Sequence, residues 1–211
     1  MKILVVDNGT HYKKRLTGLF KSKDQVSVVP FTELSLGLLN DSFDLIVLTG
    51  AYKSYEVKNH TDSIYAIEKE LINKAKVPVI GICLGAQLIA YMHGARLTTI
   101  PGGQRLKGIK RIWNIKKTPF DFFLYHGGRV WASQKWRITE LPDELEAWCA
   151  SAEGIEVFKH RSKPIYGLQF HPEHQTAHDD GRRIFEKIVK IELGTKFNQK
   201  TSPKHSSLVK V

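Results

Sequence analysis

The sequence predicts an α/β fold: an open, mostly parallel sheet with helices on both faces and a small antiparallel β extension. Three observations carry that prediction. Short apolar runs at Ile3 to Val6, Val26 to Val29, Asp44 to Leu48 and Val77 to Ile82 alternate with helical patterns, as expected of strands buried on both faces and joined by crossover helices. Several runs stop at small or polar residues, Asp7-Asn8-Gly9, Thr49-Gly50 and Cys83-Leu84-Gly85, at the carboxyl ends where such sheets gather ligands. From Ala95 to Ile115 the pattern changes to short β-like pieces rich in glycine and basic residues, which gives the extension.

Taken in order, the first strand leads into a helical stretch of about ten residues from Thr10 towards Phe20, with Tyr12, Leu16, Leu19 and Phe20 as its apolar stripe. A weaker helical signal covers Leu34 to Leu39. Ile64 to Lys76 is expected to be amphipathic, with Ile64, Ile67, Leu71 and Ile72 inward and Glu68 and Glu70 on the polar side. Leu88, Ile89, Tyr91 and Met92 form a helix face after the fourth strand, and His93-Gly94 reads as its stop. Pro101-Gly102-Gly103 reads as a hairpin turn. Ile155 to His160 and Ile165 to Phe170 read as paired strands joined by Arg161-Ser162-Lys163-Pro164. Ile184, Phe185, Ile188, Val189 and Ile191 give a last helix face. Residues 1–193 are expected to form one domain, and 194–211, with four lysines at 196, 200, 204 and 210 and no acid, a mobile tail.

Composition bounds the function. The 211 residues, 42% hydrophobic and 25% charged, suit one globular domain. No run reaches the length of a membrane span, and Met1 to Asp7 is too short an apolar run for a secretory leader. With only two cysteines, Cys83 and Cys149, a disulfide framework has little support, so a cytoplasmic protein is expected. The net charge of +11 is spread over many segments without a recognition helix or stacking aromatics, so nucleic acid is not an expected partner.

Chemistry concentrates at Gly81-Ile82-Cys83-Leu84-Gly85-Ala86-Gln87. Glycines on each side of Cys83 let the backbone turn sharply from strand to helix and let neighbours approach closely. A thiol at a helix N-terminus is favoured as the thiolate, the form that attacks carbon. Core filling is the competing reading for a lone cysteine. A base is supplied by Gln169-Phe170-His171-Pro172-Glu173, where a carboxylate follows the histidine by two residues. His171, His174 and His178 lack ligand spacing, and zinc would compete for the imidazole, so no metal is expected. No cofactor is expected either.

The two motifs together resemble the class I glutamine amidotransferases, and in particular their stand-alone subunits or domains of the guanylate synthetase type. The resemblance covers roughly residues 1–193 and implies a flavodoxin-like fold, glutamine as substrate, and Cys83, His171 and Glu173 as a catalytic triad. It implies an oxyanion hole from the amides of Leu84 and of the Gly50-Ala51 loop. There this sequence departs from the family, since Ala51 and Tyr52 stand where a glycine and a proline are usual. Gln87 resembles the family residue that helps hold the glutamine main chain. His126 and Gly127 match a His-Gly segment beside the glutamine site, although Tyr125 and Gly128 replace the serine and aspartate of the guanylate-synthesis relatives. His126 is then either pocket-lining or a satisfied structural histidine. Because the chain contains no synthetase domain, the ammonia would pass to a separate synthetase or synthase subunit. The alternatives are a γ-glutamyl hydrolase or peptidase, and a weak or inactive binding subunit of the same fold.

Overall fold

A computed structural model describes residues 1–40, 42–51, 63–120, 126–174, 176 and 179–199. Five parallel strands make its centre: β1 (Lys2–Asp7), β2 (Gln25–Pro30), β3 (Leu45–Leu48), β4 (Val79–Ile82) and β11 (Ile165–Leu168), in the order β2-β1-β3-β4-β11. Ile3, Leu4, Val5 and Val6 are all at 0% exposure, as a strand covered on both faces must be. Alternate residues serve different layers. Ile3, Val5, Leu45 and Val47 pack with Leu16 and Leu19 and with Ile184, Phe185 and Ile188 of α4 (Gly181–Gln199). Leu4, Val6, Ile46 and Leu48 pack with Leu71 and Ile72 of α2 (Ala66–Lys74) and with Ala86, Leu88 and Ile89 of α3 (Leu84–Met92). Burying each such side chain contributes about 1.5–3 kcal/mol.

The antiparallel part is the larger in strand number. β5 (Arg96–Thr99), β6 (Leu106–Asn114), β7 (Gly128–Gln134), β8 (Trp136–Glu140), β9 (Leu145–Ser151) and β10 (Gly154–His160) extend the sheet beyond β11 in the order β10-β9-β6-β7, with β8 on β10 and β5 on β8. Pro101-Gly102-Gly103 does turn, Gly103 N–H donating to the Ile100 carbonyl at 2.9 Å. It makes no hairpin, because β5 pairs with β8 while β6 pairs with β7 and β9.

Other local expectations change for identifiable reasons. The first helix, α1 (Lys13–Thr17), has five residues. The Asp7 carboxylate accepts the N–H groups of Gly9 and Thr10 at 3.0 Å each, and Gly9 lies at φ 85°, so this turn delays the helix. The Leu34 to Leu39 signal becomes a 3₁₀ turn over Leu36–Asn40. On α2 the expected faces are partly exchanged: Glu68 is 1% exposed, while Ile64, in the turn just before the helix, and Ile67 are 45% and 42% exposed. α4 runs through Gly194 to Gln199, past the expected domain boundary. One interior glycine costs a helix only about 1 kcal/mol, and Leu193 beside it is buried. Tyr52, Tyr125, His178 and residues 200–211 lie outside the described residues. Among the described residues no helix is long and apolar enough to cross a membrane.

Candidate active site

Sheet register assembles the site. Leu48 of β3 lies beside Gly81 of β4, and Gly167 of β11 lies on the other side of Gly81. The chain segments leaving these three strands, at Gly50, Cys83 and His171, therefore emerge at one end of the sheet. Cys83 turns at φ 51° and ψ −102°, and is the sole non-glycine residue with positive φ among those described. Such a conformation costs roughly 1–3 kcal/mol and persists only where packing enforces it. The packing is visible at the flanking glycines. A Cβ on Gly81 would stand 2.5 Å from the Gly85 carbonyl carbon, and one on Gly85 would stand 2.6 Å from the Leu48 carbonyl oxygen. The Cys83 N–H donates to Leu168 O at 2.8 Å, which pins the corner to β11.

His171 is 3% exposed and Glu173 1%. The His171 N–H donates to the Trp131 carbonyl of β7 at 2.8 Å, and its ring meets Tyr12 edge-on at 5.1 Å. Nδ1 and Glu173 Oε1 are 2.8 Å apart. An ionised carboxylate only accepts, so Nδ1 carries the hydrogen and Nε2 faces Cys83. Burial alone would lower the pKa of His171; the charges of Glu173 and Cys83, with hydrogen bonding from both, outweigh it and hold the imidazole well above its ordinary range. Nε2 forms no hydrogen bond of standard geometry among the described residues, which leaves it available for a leaving group.

The remaining expected residues divide. Gly50 abuts both catalytic side chains: a Cβ there would lie 3.0 Å from His171 Cε1 and 3.3 Å from Cys83 Cβ. Leu84 opens α3, so its N–H has no acceptor within the helix. Ala51 follows Gly50 and is partly buried. Gln87 is placed otherwise than expected. Its Nε2 donates to Gln169 Oε1 at 3.1 Å and to Trp136 O at 3.2 Å, so both amide hydrogens tie α3 to the sheet. His126 is exposed, and Gly127 sits against β6, where a Cβ would meet Ile112 O at 2.8 Å. No hydrogen bond among the described residues joins either to Cys83 or His171.

Sequence patterns missed four contributors. Trp131 acts through its carbonyl, which carries no residue signature, and its ring stacks on His174 at 3.8 Å. Tyr12 points at His171 instead of the core. The Ser133 carbonyl lies 4.0 Å from the Cys83 sulfur and is held by Arg105 Nη1 at 3.1 Å. Gln169 Nε2 stands 4.0 Å from the same sulfur.

A His-rich cluster occurs elsewhere, at the opposite end of the parallel strands. His93, Glu144 and His160 bring ligand atoms within 4.8 Å of one another. Their surroundings do not suit a cation. The N–H groups of Ser162 and Lys163 donate to His160 Nδ1 at 3.1 Å each, so the neutral ring carries its proton on Nε2 and has no lone pair to spare. Arg161 and Lys163 line the same cleft.

A strained cysteine corner facing a carboxylate-braced imidazole, at the carboxyl ends of parallel strands, defines a class. The chain belongs to the class-I glutamine amidotransferase family, whose model matches residues 4–191, and it is a glutamine amidotransferase. Its relatives are more particular. It is 30% identical over 202 residues to the glutamine-hydrolysing subunit of GMP synthase from Methanocaldococcus jannaschii, covering 92% of this chain and 99% of that protein. The corresponding GMP synthase subunit of Methanothermobacter thermautotrophicus is 38% identical over 126 residues, 58% of this chain and 64% of that protein. A solved structure from Thermoplasma acidophilum, described as a GMP synthase subunit, superposes with a TM-score of 0.78 at 28% identity, covering 95% and 98% of the two chains. In the GMP synthase of Francisella tularensis subsp. novicida the matching part is 35% of the protein.

Proposed function

We propose that Cys83, His171 and Glu173 hydrolyse the side-chain amide of glutamine, and that the ammonia serves a separate GMP synthase subunit. The Glu173-His171 hydrogen bond of 2.8 Å, directed so that Nε2 faces Cys83, carries this conclusion. The sulfur attacks the amide carbon, and the oxygen becomes negative. The N–H of Leu84 and an N–H of the Gly50-Ala51 loop are assigned to that oxygen. As the C–N bond breaks, Nε2 gives its proton to the departing ammonia, leaving a γ-glutamyl thioester. Water attacks the thioester, Nε2 takes a proton from it, and the thiolate leaves with glutamate released. Glu173 fixes the tautomer and stabilises the imidazolium throughout.

The extent of the matches supports a separate acceptor subunit. The chain matches nearly the whole of the Methanocaldococcus protein but only 35% of the Francisella enzyme, so the acceptor chemistry is assigned to another polypeptide. Residues 1–193 are assigned to one amidotransferase domain and 194–211 to a basic tail. The two free cysteines support a reducing, cytoplasmic setting. Glutamate release by the purified chain, its loss in Cys83→Ser, and a glutamyl adduct on Cys83 by mass spectrometry test the assignment. Unchanged activity in Cys83→Ser would overturn it.

A further inference from the structure

We propose that Glu68 is a positioning residue for glutamine hydrolysis, acting through Asn8 and Thr49 on the Gly50 segment that flanks Cys83 and His171. This rests on the assignment of those two residues made above.

The distribution of side chains on α2 is the first indication. Glu68 is 1% exposed, while Ile67 on the same helix and Ile64 just before it are 42% and 45% exposed. Hydrophobic burial favours the reverse, and a buried carboxyl is retained at a cost unless it is bonded to something that needs it. Its bonds run toward the active site. Oε1 accepts a hydrogen from Asn8 Nδ2 at 3.1 Å, and the other Nδ2 hydrogen goes to the Thr49 carbonyl at 3.1 Å. The Asn8 N–H donates to Thr49 Oγ1 at 2.8 Å, and that hydroxyl donates to the Gly50 carbonyl at 2.9 Å. The Thr49 carbonyl also accepts the Gly85 N–H, in the first turn of α3, at 3.2 Å. Asn8, Thr49 and Glu68 are all buried, at 0%, 1% and 1% exposure.

Asn8 can present either its oxygen or its nitrogen to Thr49, and the acceptor supplied by Glu68 decides the matter: with Oε1 taking one hydrogen, the nitrogen side must face the Thr49 carbonyl. Thr49 is thereby held at both its hydroxyl and its carbonyl. The next residue is Gly50, whose Cα has room for no side chain between His171 and Cys83. A small rotation of the Thr49-Gly50 peptide therefore moves the N–H groups that meet the developing oxyanion, while the thiol and the imidazole stay where they are.

The test uses the full chain and measures kcat and KM for glutamine hydrolysis, with the rate at which iodoacetamide alkylates Cys83 as a measure of thiol reactivity. Glu68→Ala is expected to lower kcat about 10- to 100-fold, leave KM within about threefold and leave alkylation within about twofold. Glu68→Gln, whose Oε1 accepts the same Asn8 hydrogen, is expected to restore kcat to within about threefold of the parent. Asn8→Ala, which breaks the relay without opening α2, is expected to lower kcat as Glu68→Ala does. The double variant Glu68→Ala with Thr49→Val is expected to lose no more than the worse single, because both act along one path. Retained kcat in Glu68→Ala or Asn8→Ala, equal losses in the Ala and Gln variants at 68, or multiplied losses in the double variant would each overturn the proposal. Glutamine hydrolysis that needs Cys83 but ignores Glu68 sinks this inference alone; hydrolysis that ignores Cys83 removes the triad assignment beneath it.

Discussion

The Nδ1 atom of His171 lies 2.8 Å from Glu173 Oε1, although only one residue, Pro172, separates the two in the chain. The carboxylate is 1% exposed, so its charge is little screened and it fixes the imidazole in the tautomer that turns Nε2 to Cys83.

From this bond, Glu173→Gln is expected to cost about 10²–10⁴ in kcat, since an amide can present its NH₂ to Nδ1 and stabilise the wrong tautomer. Steady-state kinetics on glutamine would show it. A loss below about threefold would place the work of orienting His171 elsewhere.

The backbone at Cys83 makes an unusual stability prediction. Glycine normally costs stability relative to alanine, but φ 51° is strained for any L side chain. Both Cys83→Ala and Cys83→Gly are expected to abolish hydrolysis, and the glycine variant is expected to be more stable than the alanine variant by about 1 kcal/mol in urea denaturation. The opposite order would show that the corner carries no strain.

Glycine replacement separates two roles at the elbow. Gly85→Ala puts a Cβ 2.6 Å from a β3 carbonyl, a rigid neighbour, so this variant is expected to lose several degrees of melting temperature along with activity. Gly50→Ala puts its Cβ 3.0 Å from the His171 ring edge, which can give slightly. It is expected to keep most of its melting temperature while kcat falls by about tenfold or more. Equal melting losses in the two variants would refute the distinction.

Burial raises the pKa of Glu68 to about 7, against the smaller opposing effect of its hydrogen bond from Asn8. The folded protein therefore keeps a proton that the unfolded chain has released between pH 4.5 and about 7. This contribution to stability is complete below the unfolded value and is lost as pH rises through the folded one. Over that window the parent is expected to lose about 3 kcal/mol relative to Glu68→Gln, which has no proton to lose. Parallel stability curves for the two proteins would refute it.

What the sequence determined by itself was the alternation of strands and helices, the cysteine corner between two glycines, and the histidine with its nearby carboxylate. These are local properties: strand burial needs an unbroken apolar run, a sharp turn needs small neighbours, and residues at 171 and 173 can meet without help from the rest of the chain. Tertiary structure decided the rest. Periodicity placed Ile64 and Ile67 inward on α2 because it cannot see which side the sheet occupies, and burial instead went to Glu68, which Asn8 at the carboxyl end of β1 reaches with a hydrogen bond. Gln87 was expected to hold substrate, yet its amide hydrogens are taken by Gln169 and Trp136, residues at least 49 positions away. The Trp131 carbonyl that holds His171 could not have been read at all, since every residue type carries that same acceptor and only the sheet register decides which one arrives.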